Sequence, residues 1–115
     1  MAGETLHEDR DKLDAQILDR HRAIATLMEE LEAIDWYDQR IKVSSNAELQ
    51  AILQHNRDEE KEHASMLLEW LRRNDEGFDR HLRTYLFSSG PIRESANAAK
   101  DGGASSLAIG SLKKG

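Results

Sequence analysis

The chain has 115 residues, one small domain at most. It carries 16 Lys and Arg against 22 Asp and Glu, a net charge of −6, and no Cys. These counts exclude disulfides, thiolate metal sites and Cys nucleophiles, disfavour nucleic acid and anionic membrane as partners, and favour cations.

Apolar runs such as Ala51-Ile52-Leu53 are far too short to span a bilayer. Met-Ala-Gly-Glu-Thr lacks the basic and apolar regions of a signal peptide, so a cytoplasmic location is expected. Charged residues make up 33% and Pro91 is the single Pro, a balance that fits long polar-faced helices better than sheets.

Thr5-Leu6-His7-Glu8 and Ser45-Asn46-Ala47-Glu48 both read as capping boxes. The first helix is predicted over about 6–42 and the second over about 46–74, roughly 55 Å and 43 Å long at 1.5 Å per residue. Gly77 follows as a stop signal. A shorter helix is predicted over about 78–87, ended by Gly90-Pro91. The short break at Val43 to Ser45 implies an antiparallel hairpin. After Pro91 the chain turns to Gly, Ser and Ala, with Gly102-Gly103 as a flexible joint. The apolar cluster Leu107-Ala108-Ile109 with Leu112 reads either as chance hydrophobics in a disordered end or as a tethered docking peptide.

On the first helix Leu13, Ile17, Ile24, Leu27, Leu31, Ile34 and Ile41 fall on one side, and Asp38 takes the missing place in the stripe. Glu30 lies on its flank, beside Ala23 and Tyr37. On the second helix Leu49, Ile52, Leu53, Leu67, Trp70 and Leu71 share a side that also carries Asn56, Glu59, Glu60 and His63. A carboxylate on a packed face costs several kcal/mol unless it is paired or bound to metal.

Glu60-Lys61-Glu62-His63 is an E-x-x-H sequence, which puts both side chains on one helix face. A metal site is the favoured reading; a buried Glu–His hydrogen bond or salt bridge is the alternative. In an antiparallel hairpin Glu30 lies within about one turn of Glu60. One Glu helix and one E-x-x-H helix are half of a di-iron carboxylate bundle, and a two-fold dimer completes the set. Dimerisation also covers an apolar stripe that two helices cannot shield alone.

Glu29 and Glu32 lie on the far side of the first helix, where a solvated acidic face is favoured over a cation site shared with a neighbouring subunit. Trp36 is on that outward face and suggests a further subunit contact. Tyr37 is either a hydroxyl near the metals or simple packing. His7, His21, His55 and His81 read as ordinary surface or packing residues.

The stretches HRAIATLMEELEAIDWYDQR, LQHNRDEEKEHASMLLEWLRRND and HLRTYLFSSGPI resemble the encapsulated ferritins over about 20–92. The resemblance implies an all-α fold: an antiparallel two-helix half-ferritin with a short C-terminal helix, which dimerises into a four-helix ferritin-like bundle. It implies a homo-oligomer, a dimer closing into an annular decamer. It implies a ferroxidase centre between subunits, with a di-iron cofactor site of Glu30, Glu60 and His63 from both chains. It implies an outer metal site at Glu29 and Glu32 for iron, calcium or another divalent ion, with Trp36 and Tyr37 nearby. Ser-Leu-Ala-Ile-Gly-Ser-Leu-Lys is similar to the cargo-loading peptide that binds an encapsulin shell, which favours the docking reading of the tail. The implied organisation is a ferritin-like domain over 1–92, a linker over 93–104 and a targeting peptide over 105–115, with the protein inside an encapsulin nanocompartment. Nucleic acid and membrane are not expected partners.

Fe(II) oxidation by O₂ is the leading function, since carboxylate and imidazole suit iron in both states. A non-catalytic helical scaffold, docked by its tail and with Glu60 and His63 setting register, is the alternative. A di-iron peroxide or redox enzyme is less favoured, because the chain has no Cys for an attached iron–sulfur centre.

Overall fold

A computed structural model describes residues 6–97, and every regular element among them is helical. None of these helices is long and apolar enough to cross a membrane. The elements are a 3-10 turn at Arg10–Lys12, α1 at Ala15–Val43, α2 at Ala47–Arg73, α3 at Glu76–Tyr85 and a second 3-10 turn at Ile92–Glu94. Two compact units are formed, one ending at Asn74 and the other beginning at Asp75.

In the first unit α1 starts at Ala15, well after the start expected near Leu6. The Asp14 carboxylate accepts from the Ile17 N–H at 2.8 Å and caps the helix. Upstream, His7 to Lys12 offers no apolar side chain to bury, and Leu13 is extended. A helix there gains no packing, so a single 3-10 turn forms instead. Thr5, the first residue of the expected capping box, lies outside the described residues.

At the second box the cap is Asn46 and not Ser45: Asn46 Oδ1 accepts from the Leu49 N–H at 2.9 Å. Arg40 and Lys42 close α1, and Arg72 and Arg73 close α2, each pair complementing the negative end of its helix.

The cross-helix pairs run in opposite order along the two helices. Gln50 Nε2 donates to the Ile41 and Ser44 carbonyls at 3.1 and 2.6 Å, which ties α2 to the last turn of α1. Further along, Arg57 meets Asp38 and His63 meets Glu30. At the far end Arg20 Nη1 donates to the Asn74 carbonyl at 3.5 Å. The helices are therefore antiparallel, with Glu30 opposite the E-x-x-H turn.

The buried apolar residues of this unit are Ala23, Ala25, Ala64 and Leu71, the last only 1% exposed. The apolar stripe of α1 is not hidden by α2: Ile17, Ile24 and Leu31 remain largely exposed, as do Leu49, Ile52 and Trp70 on α2.

In the second unit, α3 starts at Glu76, with Asp75 accepting from the Phe78 N–H at 3.0 Å. Gly77 therefore sits inside the first turn of a helix and stops nothing; α2 ends instead at Asn74, whose side chain donates to the Trp70 carbonyl. After Tyr85 the chain leaves the helix through Phe87, at a φ of 62° with its side chain in water. Ser88 Oγ donates to the Tyr85 carbonyl, and buried Ser95 donates to Ser88 Oγ.

Candidate metal centre

Glu30, Glu60 and His63 converge, and each places one donor atom within 4.8 Å of the others. Glu30 comes from the middle of α1, and the i, i+3 spacing on α2 supplies the other two. His63 Nδ1 lies 2.9 Å from Glu60 Oε1 and 3.3 Å from Glu30 Oε1. The glutamate side chains are 20% and 25% exposed and that of His63 is 47% exposed, so the cluster opens to solvent on the His63 side.

The charges of this cluster are interdependent. A hydrogen bond to Glu60, reinforced by desolvation, raises the Glu30 carboxyl above its usual range. The same bond, with help from His63, lowers Glu60. Hydrogen bonds to Glu60 and Glu30 raise His63. Without metal, protonation is thus favoured on Glu30 and His63 relative to the isolated groups, and ionisation on Glu60.

A divalent cation at the point where the donors meet would compete with protons for all three groups. Carboxylate and imidazole donors bind such an ion at about 2.0–2.2 Å, so donors this close need only a small inward movement. Two hard oxygens and one imidazole, with no sulfur, suit a first-row ion such as iron. One chain supplies three such residues, fewer than a closed coordination shell needs.

Among the described residues, no hydrogen bond or ion pair joins the other expected site residues to this cluster. Glu29 and Glu32 are half-buried on α1, more shielded than a solvated acidic face, and are not among the converging donors. Trp36 is exposed and Tyr37 half-buried, and the Arg40 guanidinium lies over both rings, 5.9 and 5.7 Å from their centroids. His55 makes an exposed ion pair with Glu59 at 3.4 Å.

Two residues escaped the sequence reading. Arg40 carried no signal beyond its i, i+4 and i, i+3 spacing from the two aromatics. Arg57 had one: Asp38 interrupts an apolar stripe, and a carboxylate there calls for a cationic partner.

Residues 5–89 match a family model described as EncFtn-like. The chain is 55% identical to an encapsulated ferritin-like protein of Rhodospirillum rubrum, covering 93% of this chain and 86% of that one. It is 52% identical to a ferritin-like protein of Thermotoga maritima, covering 76% and 77%, and 35% identical to the encapsulin nanocompartment cargo protein EncC of Myxococcus xanthus, covering 74% and 77%. Among solved structures it is similar to protein ne0167 from Nitrosomonas europaea, with a TM-score of 0.75 and 54% identity over 77% of this chain and 98% of that one.

Proposed function

As the chain belongs to the EncFtn-like family, we propose that it oxidises Fe(II) to Fe(III) with O₂ at a two-iron centre built between two copies of itself. The observation that carries this reading is the convergence of Glu30, Glu60 and His63, with His63 half exposed. A second copy docked over the open side of the cluster by a two-fold axis doubles the donor set and covers Ile52 and Trp70, which are exposed on the His63 side of α2. The product is a four-helix ferritin-like bundle made from two antiparallel hairpins, and such dimers assemble into a ring.

Iron is the substrate. Glu30 and Glu60 hold it as carboxylates, and His63 turns its imidazole from the carboxylates to the ion. Each Fe(II) loses one electron, and O₂ takes up electrons and protons as it is reduced. The anionic pair favours the more highly charged Fe(III), which assists electron loss. Half-buried Glu29 and Glu32 form an outer cation site on the path of iron, flanked by Trp36 and Tyr37.

The 35% identical EncC relative, an encapsulin cargo protein, supports a role as cargo in such a compartment, where Fe(III) is stored. Residues 1–92 then act as the ferritin-like part, 93–104 as a linker and 105–115 as the shell-docking peptide; most of this tail lies outside the described residues.

The test is anaerobic loading with Fe(II) followed by exposure to O₂, with Fe(III) formation, oxygen consumption and native mass measured together. Oxidation well above the protein-free rate is expected in the parent, and a fall of about a hundredfold in His63→Ala. Equal rates in parent and variant would refute the centre. Rapid oligomerisation with no oxidation in any form would favour the scaffold.

A further inference from the structure

The Asp38 carboxylate sits where the α1 stripe calls for an apolar residue, and it is answered from across the helix pair. Arg57 Nη1 lies 2.9 Å from Asp38 Oδ1, and Arg57 Nε is 3.4 Å from the neighbouring Asp58. The Arg57 side chain is only 24% exposed, so its guanidinium is held against the helices and does not range through solvent.

Its location gives the pair a consequence. Arg57 is one turn before Glu60 on α2, and Asp38 is just over two turns after Glu30 on α1. Arg57 and Glu60 share a face. Besides the His63–Glu30 contact at the centre itself, Gln50 at the turn and Arg20 at the far end also join α1 to α2, and each is almost three turns from the centre. A slip of one residue between the helices moves a ligand by about 1.5 Å along the axis and about 100° around it. Either displacement is enough to separate Glu30 from the E-x-x-H turn.

We propose that Asp38 and Arg57 are a positioning pair, which fixes the register of α1 against α2 so that Glu30 meets Glu60 and His63 in a geometry ready for metal. The inference rests on the metal-centre reading above only in taking those three residues as ligands. Neither member touches the metal. The pair stores a relative placement of two helices, and ligand convergence depends on that placement.

The test uses Co(II) alone, titrated into the full-length protein, with affinity and the visible absorption bands as readouts alongside helix content and melting temperature. Arg57→Met and Asp38→Asn are each expected to weaken Co(II) binding about fivefold and to alter the bands. The double variant should lose no more than either single one, because the two residues act as a unit. Arg57→Lys should recover most of the affinity. Asp38→Asn preserves side-chain volume and carries the test if Arg57→Met fails to fold. Losses that add in the double variant, or a lower melting temperature with unchanged affinity and spectrum, would overturn the proposal by reducing the pair to ordinary surface charge. A parent that binds Co(II) without oxidising Fe(II) removes the ferroxidase reading and leaves the pair supported by its own readouts. A parent that binds no Co(II) removes both.

Discussion

Replacing Leu31 with Ala tests whether the uncovered stripe is a contact between two copies. Leu31 is 53% exposed in the single chain and lies in an apolar groove with Leu27, Ile34, Ala64 and Leu68. Burying a whole Leu side chain is worth about 1.5–3 kcal/mol, so covering the exposed half contributes roughly 1 kcal/mol. A two-fold axis repeats the contact, so Leu31→Ala should weaken the dimer by about 2 kcal/mol, roughly thirtyfold in its dissociation constant. Sedimentation equilibrium on a dilution series in chelator measures this directly, and rising urea brings a very tight dimer into range. Val43→Ala is the control: Val43 is 82% exposed and off the stripe, so the change should stay within about 0.5 kcal/mol. A Leu31→Ala protein that associates as tightly as the parent would refute the reasoning, as would a parent that is monomeric throughout.

Protonation gives the metal-free protein a pH signature. His63 is raised above its ordinary value of 6.5, so its stabilising contribution is full below that value and is lost as pH climbs through the folded-state pKa. The melting-temperature advantage of the metal-free parent over His63→Ala should shrink accordingly as pH rises. Glu30 is raised, so its charge opposes folding without metal; Glu30→Gln should raise the melting temperature at neutral pH in chelator, lower it in saturating Zn(II), and have little effect well below pH 4.5. Glu29→Ala combined with Glu32→Ala should leave Co(II) bands at the centre intact while slowing Fe(II) uptake, which stopped-flow oxidation at low iron would register. Deleting residues 105–115 should leave oxidation by the free protein unchanged and abolish co-purification with a co-expressed encapsulin shell.

The central turns were legible because their logic is arithmetic. Glu30 and Glu60 lie at similar distances either side of the Val43–Ser45 break, and Glu60 and His63 are one turn apart, so the sequence alone brings all three together. The helix ends were less legible. Thr5-x-x-Glu8 is a local pattern with no apolar run behind it, whereas Asp14 stands directly before residues that pack. Ser45 and Asn46 are both competent caps, and only the geometry of the turn chooses Asn46. The exposure of the α1 stripe depends on which part of its surface α2 covers, which periodicity does not reveal. Arg57 reaching Asp38 depends on register, a property of the packed pair and of neither helix alone.

The division of the candidate centre between two helices also bears on when it can come into being. Glu30 leaves the ribosome with α1, but its partners lie thirty and thirty-three residues later in α2. A nascent chain that has presented only its first helix has a lone carboxylate and no cluster. The donors meet only after α2 has emerged and folded back, so an ion held by all three would report a finished fold. A growing or misfolded chain lacks the three-residue cluster.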